Sequence, residues 1–472
     1  MADDFHSKSE TFMAWLNNSS ATISNKIALR DLRQKDAGRG VVATSDIEED
    51  ELLFSIPRTS VLSVENSQLS KKAPSLFTEL DPWLSLIVVM IYEYLQGSSS
   101  IWKPYFDILP AEFDTLMFWN EEELAELQAS AVREKIGKTD ADKTFEELLV
   151  PLIREHADTF FAGANMQLTD PDLVTLAHRM GSTIMAYAFD IEPVETEKEA
   201  DEDGYVSEDE DEALPKGMVP LADMLNADAD WNNARLFYED EVLTMKALKP
   251  IKTGDEIFND YGPLPRSDLL RRYGYITDNY TPYDVVEISL ELVCDIIKNE
   301  GKINQSSIES RIEYLDERGV ASSGYDISAP SIHTSIASVL SPDLIVLVES
   351  LLLPEAEWAR RKKNSLMSTE TLSPNGAETL LKIVQARAAQ YPTTLAEDFS
   401  EISNFRNQIG ESHQLSVSEK RRAMAKDVRH GEKHILSEAM KALTVFSPFT
   451  KKPEKRNDGA ALYTGPNKKR RV

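Results

Sequence analysis

The chain has 472 residues, with 80 acidic and 51 basic side chains and a formal net charge of −29 at pH 7. That charge disfavours direct binding of DNA or RNA and favours basic protein partners, such as histone tails or ribosomal proteins. The sequence shows no run of about 18 apolar residues that would cross a membrane, no secretory signal at its start, and one cysteine, Cys294, which excludes an internal disulfide.

Two segments, residues 22–60 and 217–262, are rich in β-branched residues and turn signals, and we predict strands in both. The two segments share an internal echo. ATSDIEEDELLF (43–54) and ALKPIKTGDEIF (247–258) both fit the pattern A-x-x-x-I-x-x-x-(D/E)-x-(L/I)-F. We interpret each copy as a strand, a turn and a second strand.

Residues 81–185, between these segments, show helical patterns. NEEELAELQASAVREKIG (120–137) begins with a potential N-cap, Asn120, followed by early glutamates, and predicts one helix. Next comes an acidic block, residues 192–212, with twelve acidic side chains and one lysine. Such a block cannot bury a core, so we predict a disordered loop that attracts basic substrates or acts as a solvated spacer. Ser207 within it lies in a context that suits an acid-directed kinase.

The C-terminal part of the chain changes character twice. Residues 286–450 contain few glycines and several helical patterns, which predict an all-α domain. The last 22 residues, 451–472, are basic, with KKPEKR (451–456) and NKKRR (467–471) separated by ten residues. This pattern is typical of a bipartite nuclear import signal, read by an import receptor, although a solubilising tail is the alternative.

Four short motifs, three within the strand-rich segments and one just after them, contain polar or aromatic residues that could form a site. GRGVVA (38–43) places two glycines beside Arg39, so that backbone can approach a ligand closely. VPLADMLNADADWNN (219–233) puts Asp223 and Asn226 in an apolar run, where buried polar groups need partners. EIFNDYG (256–262) places Tyr261 directly before its final glycine, and RRYGYI (271–276) follows it.

This combination of motifs resembles the SET-domain protein lysine methyltransferases, specifically the split-SET group related to the Rubisco methyltransferases. The resemblance covers nearly the whole chain and implies an α+β fold, with a pseudoknotted, β-rich SET core split by a helical insert. The implied domains are two SET parts (1–80 and 181–285), the insert (81–180), an all-helical substrate-binding domain (286–450) and the basic tail (451–472). It also implies S-adenosylmethionine as the cofactor and a lysine of a large-subunit ribosomal protein as the substrate.

The resemblance further assigns individual positions of this sequence. Tyr261 matches the tyrosine beside the transferring methyl group. The residues that match cofactor-binding positions are Ala37, Gly38, Arg39, Tyr187, Asn226, Ala227 and Tyr273. The residues that match substrate-binding positions are Trp102, Ala188, Asp190, Asp223 and Arg271. Two positions depart from the family pattern: Ala227 replaces a common histidine, and Ala186-Tyr187 replaces Ser-Arg.

The chemistry explains why a tyrosine-lined site would suit this reaction. A free lysine has a pKa of about 10.4 and must lose its proton before its amine can attack a methyl group in line. An apolar channel beside a sulfonium lowers that pKa, because a second cation is disfavoured there. No metal is required, and the histidines, including His178, show no ligand spacing.

Two other classes of function remain open at this point. A catalytically inactive SET scaffold would bind a basic partner without methylating it, and an acidic chaperone would bind basic proteins through residues 192–212. The presence of Tyr261, Asn226 and Tyr273 argues against the inactive scaffold. We expect a monomer located in the nucleus.

Overall fold

The computed structural model describes residues 4–35, 37–162, 168–191, 214–301, 303–330, 339–408 and 415–446. The chain divides into two compact units, Met1–Val286 with Tyr391–His434, and Glu287–Gln390 with Ile435–Val472. Residues 391–434, which we placed in the C-terminal helical domain, therefore group with the first unit. The acidic block with Ser207 and the basic tail lie outside the described residues.

The strands predicted over residues 22–60 and 217–262 are confirmed, and the described part of the first unit arranges them in three small antiparallel sheets. The strand bounds are β1 Thr22–Ile23, β2 Ile27–Asp31, β3 Arg39–Ala43, β4 Leu52–Pro57, β5 Leu62–Ser63, β6 Ala188–Asp190, β7 Lys216–Met218, β8 Ala234–Tyr238, β9 Val242–Ala247 and β10 Glu256–Ile257. The sheet orders are β1-β4-β9-β8, β10-β3-β2 and β5-β7-β6.

The two copies of the sequence echo lie antiparallel against each other. Ile47 and Ile251, which occupy the same position in the pattern, exchange two backbone hydrogen bonds of 2.9 and 3.0 Å. On either side of this bridge β3 pairs with β10 and β4 pairs with β9. Both isoleucines are buried, so the repeated apolar position marks the contact between the copies.

Helices of the first unit surround these sheets. Their bounds are α1 Phe5–Asn18, α2 Gln68–Lys72, α3 Pro82–Leu95, α4 Lys103–Phe106, α5 Glu121–Ala125, α6 Lys138–Thr144, α7 Val150–Glu155, α8 Ala157–Phe160, α9 Asp170–Tyr187, α10 Arg266–Tyr273 and α16 Leu395–Gln408. Helix α3 packs on α9 and is apolar nearly all round, because it runs through the core. The Asp81 carboxylate caps its N-terminus by accepting the backbone N–H of Leu84 at 2.8 Å.

The single helix predicted over 120–137 is wrong beyond its first turns. Asn120 and Glu123 form the expected capping box, and α5 begins there. The helix ends at Ala125, and Gln128 takes a positive φ of 54° before a short 3₁₀ turn at Ala131–Arg133. Leu127 and Val132 are buried with Leu270 and Val428 of the same unit, so tertiary packing overrides helix propensity here.

The second unit is mainly helical. It holds α11 Leu290–Asn299, α12 Gln305–Asp316, α13 Pro342–Leu352, α14 Glu355–Lys363 and α15 Pro374–Ala389, and α17 Val417–Thr444 belongs to it from Ile435 onward. The expectation of an all-α domain needs one correction, a two-stranded sheet of β11 Val285–Ser289 and β12 Gly324–Ser328. Alternating buried and exposed residues in β12 explain the strand.

The described residues lack two features, a membrane-spanning helix and a cluster of metal ligands. None of the described helices combines the length and apolar character needed to cross a lipid bilayer. The same residues contain no group of three or more His, Cys, Asp or Glu side chains placed to hold a metal ion.

Candidate active site

Two cavities of about 380 Å³ each lie in the first unit and bring the predicted motifs together. We call the first the cleft. Its walls include Phe5, Lys8, Arg33, Ala37, Gly38, Arg39, Asp107, Ile108, Met224 and Asn226. We call the second the tyrosine pocket. Its walls include Ala186, Ala188, Phe189, Asp190, Ala222, Leu225, Tyr238, Asn259, Asp260, Tyr261 and Tyr273.

Tyr187 and Asp223 line both cavities. Tyr187 is the last residue of α9, and Asp223 lies in a 3₁₀ turn, Ala222–Met224, inside the motif that runs from Val219 to Asn233. The cleft and the tyrosine pocket therefore meet at two side chains, one phenol and one carboxyl. A ligand in the cleft and a ligand in the pocket would meet there too.

The two halves of the motif run side by side and hold each other through Asn233. Its side-chain amide donates to the carbonyl of Glu256 at 3.0 Å and accepts the backbone N–H of Phe258 at 2.8 Å. Nearby, the backbone N–H of Asn259 donates to the carbonyl of Asn226 at 2.8 Å, within a parallel bridge of Ala227 and Asn259. This pairing sets Asn226 in the wall of the cleft and Tyr261 in the wall of the pocket.

Asn226 is oriented by two acceptors. Its amide nitrogen donates to Glu256 Oε1 at 2.6 Å and to the carbonyl of Arg39 at 3.3 Å. Gly40 makes this approach possible, because a Cβ atom there would lie 2.5 Å from Leu32 Cδ1 and 3.0 Å from the Asn226 amide nitrogen. The second glycine of GRG thus brings β3 against Asn226, whereas Gly38 supplies a turn with φ of +62°.

The N-terminal turn of α1 forms part of the cleft, which the sequence did not indicate. The Phe5 ring lies under the guanidinium groups of Arg33 and Arg39, with 4.2 and 3.8 Å from the guanidinium carbon to the ring centroid. Arg39 also donates to the carbonyl of Ile108 at 3.0 Å and to Ser9 Oγ at 3.1 Å. Its side chain therefore holds α1 against β3.

Aromatic rings dominate the tyrosine pocket. The Tyr261 and Tyr273 rings stack with centroids 4.0 Å apart and planes inclined by 6°. Gly274 ends α10 with φ of +78°, and a Cβ there would lie 2.8 Å from the backbone of Asp114 and Thr115. This glycine lets the chain turn between Tyr273 and Tyr275, whose rings meet edge to face.

The tyrosine hydroxyls of this region stay protonated at neutral pH. Burial raises the pKa of Tyr261 well above its ordinary value of 10.0, and it raises the pKa of Tyr187 to about 12. Burial likewise raises the pKa values of Tyr273 and Tyr275. The pocket is therefore lined by neutral phenols, whose ring faces favour a nearby cation and whose hydroxyls can donate or accept hydrogen bonds.

Asp223 is the buried carboxyl between the cavities, with 6% of its surface exposed. Leu221, two positions before Asp223, takes φ of 75°, an unusual conformation for a branched side chain and one that is typical of functional sites. The hydroxyl of Tyr105 donates to Asp223 Oδ2. Asp223 Oδ1 has no side-chain or backbone partner that meets hydrogen-bond geometry among the described residues.

Most of the predicted site residues line one of the two cavities. Tyr261, Tyr273, Ala188 and Asp190 line the pocket, and Asp190 is exposed and paired with Lys216 at 2.6 Å. The described lining residues do not include Trp102, Ala227 or Arg271. Of these, Trp102 is 1% exposed in the core, and Arg271 forms an ion pair of 2.8 Å with Asp268.

The sequence prediction missed four side chains that shape the site: Phe5, Lys8, Tyr105 and Asp260. Phe5 and Lys8 begin a helix far from the motifs in sequence, and Tyr105 lies 118 residues before Asp223. Asp260 had a signal, because it directly precedes Tyr261, and its Oδ1 accepts the backbone N–H of Gly262 at 2.7 Å.

Comparison with known proteins gives consistent results along the chain. Residues 38–262 match the SET domain family, and residues 304–436 match the Rubisco LSMT substrate-binding family. The chain is 34% identical over 419 residues to ribosomal lysine N-methyltransferase 4 of Saccharomyces cerevisiae, covering 83% of this chain and 84% of that protein. It is 27% identical to the protein of the same name from Schizosaccharomyces pombe, covering 82% and 89%.

Solved structures show a similar fold. The SET domain of LSMT bound to lysine and AdoHcy aligns with a TM-score of 0.66 at 21% identity, covering 94% of this chain and 92% of that one. Rubisco LSMT bound to AdoMet aligns with a TM-score of 0.65, covering 93% and 91%. The mixed α+β architecture predicted from the sequence, with a SET fold and a helical C-terminal region, is thereby confirmed.

Proposed function

The chain belongs to the SET-domain family of protein lysine N-methyltransferases, and on that premise we propose that it methylates a lysine of a large-subunit ribosomal protein. The observation that carries this proposal is the pair of cavities that meet at Tyr187 and Asp223. One cavity suits a nucleoside cofactor, and the other suits a single extended side chain. The curated relatives from two yeasts, named for ribosomal lysine methylation, support the substrate class.

S-adenosylmethionine is the cofactor of this family, and the cleft fits it chemically. The cofactor presents a purine, ribose hydroxyls and an amino-acid tail with both charges. The cleft offers the oriented amide of Asn226, backbone at Ala37 and Gly38, and side chains of both signs from Lys8 and Asp107. When bound, S-adenosylmethionine supplies an electrophilic methyl group on a sulfonium.

The tyrosine pocket would hold the substrate lysine. The ring faces and hydroxyls of its neutral phenols can bind a cationic or polar amine in place of water. The stacked rings of Tyr261 and Tyr273 fix the direction from which that amine approaches. We assign Tyr261 the role of orienting the amine lone pair toward the cleft. Ala188, Asp190 and Asp223 would contact the lysine or the chain that carries it, since all three line the pocket.

The chain's own residues contribute alignment rather than covalent chemistry. A lysine that enters the pocket leaves water, and this desolvation, together with a nearby sulfonium, lowers the pKa of its ammonium group. The amine then attacks in line with the bond that breaks. Direct alignment of this kind needs no metal.

Isotope transfer tests the proposed function. The purified protein is incubated with methyl-labelled S-adenosylmethionine and ribosomal subunits from cells that lack it, and labelled bands are identified by mass spectrometry. We expect one protein of the large subunit to gain label on a lysine. Label on no ribosomal protein, with label on another basic protein, would reject the substrate class and keep the reaction.

Location of the protein is a separate proposal. The basic tail, residues 451–472, has two clusters with the spacing of a bipartite import signal, and we propose that an import receptor carries the protein to the nucleus, where ribosomal subunits assemble. Deletion of 451–472 should move a fluorescent fusion to the cytoplasm. An unchanged distribution would reject the import role of this tail.

A further inference from the structure

Asp223 has the features of a reacting group rather than of a structural carboxyl. It lies at the junction of the two cavities and is 6% exposed. One oxygen, Oδ2, accepts the hydroxyl of Tyr105, which is itself fully buried. The other oxygen, Oδ1, is buried and meets no hydrogen-bond partner among the described residues. A carboxyl with one satisfied and one unsatisfied oxygen is costly to keep, because buried polar groups are normally paired.

The surroundings of Asp223 determine how readily its free oxygen takes up a proton. Desolvation dominates and raises the pKa of Asp223 to about 7, while the hydroxyl of Tyr105 and, to a smaller extent, the backbone N–H groups of Asp223 and Leu221 act in the opposite direction. A carboxyl of this kind exchanges a proton readily near neutral pH. Tyr187 also faces it, and other charged or titratable groups line the same two cavities: Asp4, Lys8, Arg33, Arg39 and Asp107 in the cleft, and Asp190, Tyr238, Asp260, Tyr261 and Tyr273 in the pocket.

The tyrosines of the pocket do not suit the same task. Burial raises the pKa of Tyr261 well above 10.0, so its hydroxyl stays neutral and is a poor proton acceptor at physiological pH. Asp190 is exposed and paired with Lys216, which keeps it near water at the outer part of the pocket. Among the described acids that line the pocket, Asp223 alone combines full burial with a free oxygen at the cleft.

Resting on the proposed function, we propose that Asp223 accepts the proton of the substrate ammonium through Oδ1, and that Tyr105 is a positioning residue that holds Asp223 for this step. One N–H bond of the ammonium breaks, and an O–H bond forms on Asp223. The freed lone pair then forms the new N–C bond as the S–C bond of the sulfonium breaks, and the sulfur keeps that electron pair. Asp223 afterwards releases its proton to water, which balances the one proton that the overall reaction produces.

The Tyr105 hydroxyl matters because it stabilises the charged form of Asp223. Its removal leaves the carboxylate without its side-chain donor, so the pKa of Asp223 rises further. Because a hydrogen bond to a charged group favours its charged form, we expect the loss of this bond to raise the pKa of Asp223 by roughly one to two pH units. The activity of the variant should therefore depend on pH differently from that of the wild type.

The pH profile of kcat/KM tests this role, with the ribosomal subunits described above and methyl-labelled S-adenosylmethionine as the assay. For the wild type we expect a limb that rises through about pH 7 and reaches a plateau below the pKa of free lysine. Tyr105→Phe should move the limb up by about one unit and regain most activity at pH 9. Asp223→Asn should lose about a hundredfold at pH 7.5 and recover only toward pH 10.

A second readout does not depend on methyl transfer. Infrared difference spectra of the protonated-carboxyl band, wild type minus Asp223→Asn, should titrate near pH 7, and the band should titrate at higher pH in Tyr105→Phe. Tyr314→Phe is the matched control, because this tyrosine of the second unit is buried and its hydroxyl has no partner among the described residues. Its profile and band should match those of the wild type.

The outcomes separate this inference from the proposed function. A Tyr105→Phe limb that coincides with the wild-type limb, even with a uniformly lower rate, would show a purely structural role and overturn the inference. A wild-type limb at the pKa of free lysine would overturn it as well. If the wild type transfers no methyl group at any pH, the proposed function fails, while the infrared titration still decides the state of Asp223.

Discussion

Tyr261 works as a neutral phenol, and that limits the roles open to it. Burial raises its pKa well above 10.0, and its ring stacks on Tyr273 at 4.0 Å. A side chain in this state can orient an amine by hydrogen bonding and by its ring face, but it cannot serve as a base at neutral pH. A substitution can distinguish the contribution of the hydroxyl from that of the ring.

Tyr261→Phe keeps the stacked ring and removes the hydroxyl. We expect the rate of methyl transfer to fall about a hundredfold, because a small misalignment of reacting atoms has an effect of that size. The affinity for S-adenosylmethionine, measured by calorimetry, should change less than threefold, and the melting temperature should stay within about 2 °C. Tyr314→Phe serves as the control, and a wild-type rate in Tyr261→Phe would remove this residue from the mechanism.

At the residue scale, motifs indicated side chains that the structure places at the cavities. Asn226, which was expected from its motif, lines the cleft, and Tyr261 and Tyr273 line the tyrosine pocket. Tyr105 was not predicted, because its partner Asp223 is 118 positions away and no local pattern marks a buried hydroxyl that faces a carboxyl. Trp102, which is expected near the substrate lysine, is buried with 1% exposure, and its contact with the substrate stays a prediction.

At the scale of elements, helix α1 is a wall of the cleft. The side chains of Phe5 and Lys8 line the cleft, and Phe5 lies under Arg33 and Arg39. Each cation–π contact contributes about 0.5 to 1 kcal/mol, and both would be lost with the ring. The cleft therefore depends on an element that precedes the SET match at residue 38.

Phe5→Ala should weaken cofactor binding more than it slows the chemical step. We expect the Kd for S-adenosylmethionine to rise roughly three- to tenfold, because Arg39 and β3 lose a contact that orders them. Single-turnover transfer at saturating cofactor should stay within about threefold of wild type. Phe399→Ala, at an exposed phenylalanine of the same unit, is the control. An unchanged Kd would exclude α1 from cofactor binding.

Helices α16 and α17 are joined within the first unit by a buried ionic cluster. The carboxylate of Asp398 accepts Arg429 Nη2 at 3.0 Å and Lys433 Nζ at 2.5 Å, and its side chain is 0% exposed. Burial alone would raise the pKa of Asp398, but hydrogen bonds from Arg429 and Lys433 outweigh burial and lower it. The carboxylate therefore stabilises the folded state above its unfolded pKa, and that contribution is lost as pH falls through the lowered pKa.

Asp398→Ala should destabilise the protein strongly, since it removes the charged partner of the buried Lys433 and one charged partner of the buried Arg429, which keeps its ion pair with Glu126. We expect a loss of about 3 to 5 kcal/mol in the free energy of unfolding of this unit at pH 7. Urea unfolding followed by circular dichroism measures it, with the exposed Asp240→Ala as control. The difference between wild type and variant should shrink at acid pH, and a constant difference down to pH 2 would contradict this role of the carboxylate.

Elements were predicted well where a periodic pattern agreed with tertiary packing. The repeated Ile47 and Ile251 pointed to two related strand-turn-strand copies, and the structure pairs them. The helix predicted over 120–137 ends at Ala125. The chain leaves helical geometry there because Leu127 and Val132 pack on Leu270 and Val428, and local helix propensity does not encode this packing. Strands β11 and β12 were not predicted, because each is only five residues long and gives a weak local pattern.

At the scale of the whole molecule, charge favours a basic partner. The net charge is −29, and a protein of this sign attracts a positively charged surface over a distance set by the ionic strength. The family and the helical C-terminal region were predictable from the sequence as a whole, because the motifs recur at family spacing. The surface of the substrate could not be predicted, because charge alone indicates a class of partner and does not identify one protein.

Methylation of a basic ribosomal protein should therefore depend on salt. Raising NaCl from about 0.05 to 0.3 M shortens the screening length from about 14 to 6 Å, and we expect KM for the protein substrate to rise at least threefold while kcat changes little. The Kd for S-adenosylmethionine, whose site is local, should change less than twofold. A KM that is insensitive to salt would exclude long-range attraction as a source of substrate affinity.

The proposed function requires that the cleft hold the cofactor and the tyrosine pocket hold the lysine, with Tyr187 and Asp223 between them. A crystal structure with S-adenosylhomocysteine and a lysine-containing ligand would show both positions. We expect the nucleoside beside Asn226, the sulfur facing Tyr187, and the amine between Tyr261 and Asp223 on the line that continues toward the sulfur. A nucleoside bound elsewhere, or an amine that reaches neither side chain, would contradict the assignment.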